Sequence, residues 1–164
     1  MNLSAGVKQK KGFTLIELLV VIAILGILVA VVTVSFSGSQ KQARDVRRKS
    51  DLKMYQNALE IYANKNNGLY PEYSSLGINW TSFCDWVGVP SPCPNDPKYD
   101  STGSDPDSFP SYGYQSDGTF NSGTPKATKY ALWSKLENTT GYWVVCSSGT
   151  NFSSVTSPGI GSCP

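Results

Sequence analysis

Lys10-Lys11-Gly12-Phe13-Thr14-Leu15-Ile16-Glu17-Leu18 is where the chain turns from basic to apolar. The run that opens there, Phe13 to Phe36, reads FTLIELLVVIAILGILVAVVTVSF and carries one charge, Glu17. Its 24 residues, at about 1.5 Å each, make a helix of roughly 36 Å, long enough to cross a bilayer. A secretory signal peptide would have a shorter apolar core and a small-residue cleavage site. Here the run is followed by SGSQKQARDVRRK, which is polar and helix-compatible. Nothing else in the 164 residues is large enough to cover such a helix on all sides. The run therefore reads as a membrane span. A carboxylate inside a membrane helix costs about 2.5–3.5 kcal/mol on insertion scales and marks function by default. The bland alternative is that Glu17, within two turns of the helix start, snorkels to the interface.

Outward from this run the composition changes sharply. All 10 prolines and 11 of the 15 glycines follow residue 67, so helix breakers are concentrated in the C-terminal part. The net charge of +2 is a sum of unlike pieces: +3 in residues 1–12, −1 in 13–36, +4 in 37–67 and −4 in 68–164. After a short polar break at Ser37-Gly38-Ser39, helical spacing resumes in Leu52, Tyr55, Leu59 and Tyr62. Val46, Met54, Ala58 and Ile61 widen that stripe, and Asn67-Gly68 with Pro71 supplies a stop. The two helical segments can join into one long element. Residues 69–110 read as loop-rich, anchored by Trp80, Phe83 and Trp86, with at most a helical turn. Three strands are expected, at Ser111–Ser116, Lys129–Leu136 and Tyr142–Ser147, the last two joined by a hairpin. Alternation in the second strand predicts a small antiparallel sheet that covers the amphipathic helix with one side.

The stretch K-G-F-T-L-I-E at residues 11–17, with its short basic leader and long apolar sequel, resembles the prepilin signal of the type IV pilin and type II secretion pseudopilin superfamily. The resemblance covers residues 8–70, and Asn67-Gly68-Leu69-Tyr70-Pro71 resembles the ending of this helix in pseudopilins and small pilins. It implies an α+β fold: a long N-terminal helix, first transmembrane and then amphipathic, packed on a small antiparallel β-sheet head. It also implies cleavage by a prepilin peptidase between Gly12 and Phe13, and methylation of the new Phe13 amine by the same enzyme. Glu17 would pair with the Phe13 amine of a neighbouring subunit during assembly. The implied partners are identical or related pilin subunits, the prepilin peptidase, a pilus or secretion assembly platform and the cytoplasmic membrane. The implied divisions are leader 1–12, span 13–36, amphipathic helix 37–67 and head 68–164. Val34 stands where many type IV pilins have proline. A bare count of Lys41, Arg44, Arg47, Arg48 and Lys49 against the three leader lysines would place the head in the cytoplasm. The prepilin motif, read on the cytoplasmic face, and the cysteines overrule it. The expected location is a single-pass membrane precursor with its head outside the cytoplasm, later part of a filament.

Cys84, Cys93, Cys146 and Cys163 all fall in the head, and an even set there points to two disulfides in an oxidising compartment. Three connectivities are open. Sequence proximity alone favours Cys84–Cys93 and Cys146–Cys163, the second fastening a tail that reads as poor in strand. A zinc site is disfavoured because no closely spaced cysteine pair is present. Asp96, Asp100, Asp105, Asp107 and Asp117 read first as an acidic solvated loop. Calcium is the alternative, with Asp96, Asp100, Asp105 and Asp107 as its ligands. The basic stretch Lys41–Lys53 reads as a solvated helix face or a subunit-pairing surface. Asp45 and Asp51 interrupt it and no stacking aromatics are interleaved, which disfavours nucleic acid. Asn79-Trp80-Thr81, Asn138-Thr139-Thr140 and Asn151-Phe152-Ser153 match glycosylation acceptors, as short motifs often do by chance. With no histidine, no nucleophile–base set and no phosphate loop, an enzyme is not expected. The expected role is a structural subunit of a type IV pilus-like filament. The alternatives are a pseudopilin of a secretion or competence system, and a minor adhesive tip pilin.

Overall fold

A computed structural model describes residues 12–73, 80–99 and 112–164. By packing, the chain forms two compact units, Met1–Ser39 and Gln40–Pro164. One helix, α1 (Leu15–Lys65), contributes to both. The polar break expected at Ser37-Gly38-Ser39 does not interrupt it. One glycine costs a helix only about 1 kcal/mol, too little to stop it between two favourable segments. Among the described residues of the first unit, the apolar side chains are exposed all round the helix, Leu19, Ile22, Leu25 and Val29 among them.

In the second unit, α1 buries a single stripe: Asp45, Arg48, Leu52, Tyr55, Leu59 and Ala63. Their spacing of three or four residues is the helical period. Met54 and Ala58 lie at its margin, as does Tyr62. Val46 and Ile61 do not belong to it, being 61% and 54% exposed. Each residue turns about 100° on a helix, so Val46, next to Asp45, and Ile61, two beyond Leu59, point away. The helix stops where Asn67 and Gly68 take positive φ of 56° and 81°. The Gly68 N–H then closes on the Ala63 carbonyl at 2.8 Å.

Beyond the helix come β1 (Tyr70–Pro71), α2 (Trp80–Val87), β2 (Gly113–Ser116), β3 (Pro125–Ala127), β4 (Tyr130–Leu136), β5 (Gly141–Cys146) and β6 (Asn151–Ser154). β2, β4, β5 and β6 form one antiparallel sheet in that order, and β1 pairs with β3. The three expected strands are β2, β4 and β5, with ends shifted by a residue or so; Ser111 lies outside the described residues. The segment read as loop with at most one turn contains the eight-residue α2. The tail read as poor in strand contains β6. Its sequence, NFSS, has one apolar residue, and its order comes from the ladder to β5 rather than from its own pattern.

The core lies between α1 and this sheet. Tyr130 and Leu132 of β4 join Leu52, Tyr55, Leu59, Phe83 and Tyr114. One side of the sheet covers the helix, as expected, and the other face of β4 is covered as well. Ala131 and Trp133 pack with Val144 and Cys146, flanked by Phe152 and Cys163. Tyrosine dominates, and each buried hydroxyl has an acceptor, as burial requires. Tyr112 donates to Asp51 at 2.6 Å, Tyr114 to the Pro71 carbonyl at 2.7 Å, and Tyr130 to Glu60 at 3.1 Å.

A fully buried cation extends this core along the helix. The Arg48 side chain is 0% exposed. It donates through Nε and Nη2 to the two Asp96 oxygens, at 2.6 and 2.8 Å. Its Nη1 reaches Asp45 at 2.7 Å and Glu137 at 2.8 Å. Arg44 takes both Glu137 oxygens at 2.7 Å. Asp45 in turn accepts the N–H groups of Glu137 and Asn138, both at 2.9 Å. Helix, β4–β5 turn and the segment after α2 are thus joined at one guanidinium. The basic stretch read as solvated or intersubunit therefore turns two of its arginines inward, because the carboxylates that match them lie in the same chain. The bonds from Arg44, opposed by burial and reinforced by Arg48, hold the Glu137 carboxyl down at about 2.

Two outcomes follow for the detergent-solubilised protein. Glu137 binds its proton less readily folded than unfolded, so its contribution is complete above the ordinary carboxyl pKa of about 4.5 and fades as pH falls from there toward 2. The melting temperature should drop across that window, and drop less in Glu137→Gln. Arg48→Met should cost about 3–5 kcal/mol in chemical denaturation at neutral pH, since it strands buried carboxylates. Separately, a Cβ on Gly113 would lie 1.9 Å from Cε2 of Trp133, its partner across the ladder. Gly113→Ala should cost roughly 1–3 kcal/mol by forcing the indole aside. Gly161→Ala, with nothing within 4 Å, should be near neutral in the same assay.

Candidate functional site

Gly12 and Phe13 precede α1. Phe13 is 92% exposed. A Cβ placed on Gly12 would meet nothing within 4 Å, so packing among the described residues does not demand glycine there. The helix opens on a reciprocal cap. The Thr14 N–H and hydroxyl both donate to Glu17 Oε2, each at 2.8 Å, and the Glu17 N–H returns to Thr14 Oγ1 at 3.4 Å. This is a capping box, in which residues three apart satisfy each other's orphan groups. Its signal, Thr-x-x-Glu ahead of an apolar run, was present at Thr14–Glu17 and was missed beside the larger motif. Both incoming bonds land on Oε2. Oε1 accepts none from the described residues. Gly12, Phe13 and Glu17 are thus grouped at the exposed start of the helix. The leader residues before Gly12 lie outside the described residues.

The other candidates belong to the second unit. Its disulfides join Cys84 to Cys93 and Cys146 to Cys163. The first ties α2 to the segment that carries Asp96. The second ties β5 to the C-terminal tail, where Gln115 also accepts the Ile160 N–H at 2.9 Å. Of the four proposed calcium ligands, Asp100, Asp105 and Asp107 lie outside the described residues. Asp96 is committed elsewhere: both its oxygens hold Arg48, and Oδ1 also accepts the Lys98 N–H at 2.9 Å. Asp117 is occupied as well, accepting the backbone N–H groups of Thr128 and Lys129 at 2.7 and 3.0 Å. Among the described residues no group of three His, Cys, Asp or Glu is arranged to hold a metal ion. Of the glycosylation matches, Asn138 and Asn151 are exposed, and Asn79 lies outside the described residues. The ion-pair cluster around Arg48 went unread in the sequence. Its signal was that Asp45 and Arg48 continue the Leu52–Tyr55–Leu59 spacing toward the N-terminus.

Known proteins match part of this chain. The family described as Prokaryotic N-terminal methylation motif matches residues 7–33. The type II secretion system core protein G of Aeromonas hydrophila is 40% identical over 60 residues, 37% of this chain and 42% of that protein. The protein of the same name from Pseudomonas aeruginosa is 42% identical over 64 residues, 39% of this chain and 44% of its own length. That from Escherichia coli is 36% identical over 59 residues, covering 36% and 41%. The chain thus spans less than half the length of the curated relatives it matches. No solved structure matches it. Motif, long apolar helix and small antiparallel head agree in supporting the type IV pilin and type II secretion pseudopilin superfamily for this chain.

Proposed function

We propose that this chain is a structural, non-catalytic subunit of a type IV pilus-like filament. It enters the membrane as a precursor, loses residues 1–12 to a prepilin peptidase, and polymerises through its N-terminal helix. The observation that carries this reading is the methylation motif set at the start of a helix whose apolar side chains face outward all round. Such a helix needs lipid, or other copies of itself, on every side. Gly12 suits peptidase cleavage: the fold makes no demand on it, and the missing side chain lets a protease close on the backbone.

The capping box suggests how Glu17 works. In the isolated subunit, Thr14 satisfies one carboxylate oxygen. The other is left for a donor from outside. The Phe13 amine of a neighbouring subunit, freed by cleavage, meets that need, and the pair attracts strongly because lipid and packed helices screen it poorly. The head is proposed to lie outside the cytoplasm. The disulfides support this, and several of the cations that count against it have partners within the protein. Of the five cations just beyond the span, Arg44 and Arg48 are neutralised within the head, and Arg47 stands 4.0 Å from Asp51.

The specific observation for a secretion filament over a surface pilus is that the three relatives named above are all type II secretion core proteins. The Asn67–Pro71 ending agrees with it. Deleting the gene and finding protein secretion lost, with no surface filaments in the parent cells, would select that branch; surface filaments in the parent cells that are lost in the deletion strain, with secretion intact, would select the pilus. In either branch, Glu17→Ala should give protein that is inserted and cleaved but forms few filaments, measured by sedimentation of sheared filaments beside a membrane-fraction blot. Filaments at the parental level would contradict the proposed pairing.

A further inference from the structure

A groove of about 370 Å3 opens on the second unit. Its walls come from three elements: Lys41 from α1, Lys98 from the segment after Cys93, and Lys135 from β4. Glu137, Thr139 and Thr140 of the β4–β5 region complete its rim. Glu137 is the one carboxylate among these lining residues, and both its oxygens are already held by Arg44, with Arg48 adding a third contact. The groove therefore presents the charge of three lysines with its acid compensated from behind. Lys98 and Lys135 make further contacts within the protein. An ammonium carries three donors, so each can still take an acceptor from outside.

Charge alone does not choose among anions, but chain connectivity does. Lys41 lies five residues beyond Phe36, the last residue of the apolar run. Five residues reach about 8 Å as helix and at most about 18 Å fully extended. On the reading that this run spans a membrane, Lys41 is confined to that distance from the hydrocarbon edge, where lipid phosphate is the abundant anion. We infer that the groove binds the headgroup of an anionic phospholipid in the leaflet from which the helix emerges. Three ammonium groups meet the phosphate oxygens, and the Thr139 and Thr140 hydroxyls add donors at the rim. The contact seats the head on the membrane before the subunit leaves it, and extraction into a filament breaks it.

The test uses the full chain in nanodiscs, one copy per disc, made of phosphatidylcholine alone or with phosphatidylglycerol. Acetylation rates of individual lysines are read by mass spectrometry. Lys41, Lys98 and Lys135 should each react at least about threefold more slowly in the anionic discs, while Lys65, at the far end of α1, does not change. Adding inorganic phosphate to the phosphatidylcholine discs should give no such protection. Replacing all three lysines by glutamine should abolish the lipid-dependent rise in melting temperature without lowering the value in neutral discs. Equal rates in both discs, equal slowing at Lys65, or full protection by free phosphate each overturn the inference. Protection that appears only with several copies per disc overturns it in favour of a neighbouring subunit. Failure of the chain to enter discs at all would instead contradict the membrane-anchored reading on which the inference rests.

Discussion

An apolar helix exposed on every side cannot stay in water, and the rest of this protein is arranged around that constraint. Burying one leucine- or isoleucine-sized side chain is worth about 1.5–3 kcal/mol, and the run from Phe13 to Phe36 carries many of them. Two environments satisfy it: a bilayer, and a bundle of like helices. What differs is the single carboxylate. In lipid, Glu17 is a cost that Thr14 reduces through the cap. In a bundle, on the proposed pairing with a neighbour's Phe13 amine, it would gain a counter-charge, and the same residue would then bias the exchange toward assembly and select one axial register.

The second unit answers a different problem. It must hold a helix against a small sheet with few aliphatic side chains, and it does so with tyrosines whose hydroxyls all find acceptors. Disulfides close the two ends of the head. Where the apolar stripe of α1 runs out, Arg48 takes over. Buried ion pairs contribute little net stability relative to a well-packed apolar cluster. Their value here is geometric: a fixed fork with four carboxylate contacts admits one relation of helix, turn and loop.

The elements legible in the sequence were those whose signal is periodic and local. Leu52, Tyr55 and Leu59 repeat at the helical interval, Asn67-Gly68 stops them, and β4 and β5 are dense in aromatic and branched residues. Features set by distant partners were hidden. Nothing in NFSS marks a strand until β5 is beside it, and nothing in Asp96 distinguishes a solvated acid from the counter-ion of Arg48, 48 positions earlier. Val46 and Ile61 misled because apolar character was counted without its angle on the helix. At the N-terminal end, the motif stood in the sequence as K-G-F-T-L-I-E, and the Thr-x-x-Glu spacing within it already carried the capping box.

The near-neutral charge of +2 hides this division of labour. Loss of residues 1–12 would take +3 with it, leaving an acidic head, a basic helix segment whose arginines serve the fold, and a rod with one acid. Whether the chain is a processed filament subunit is read from the mass and N-terminal residue of the mature protein. The expected chain begins at Phe13 with a methylated amine. A mature protein that retains Met1 to Gly12 would contradict that role.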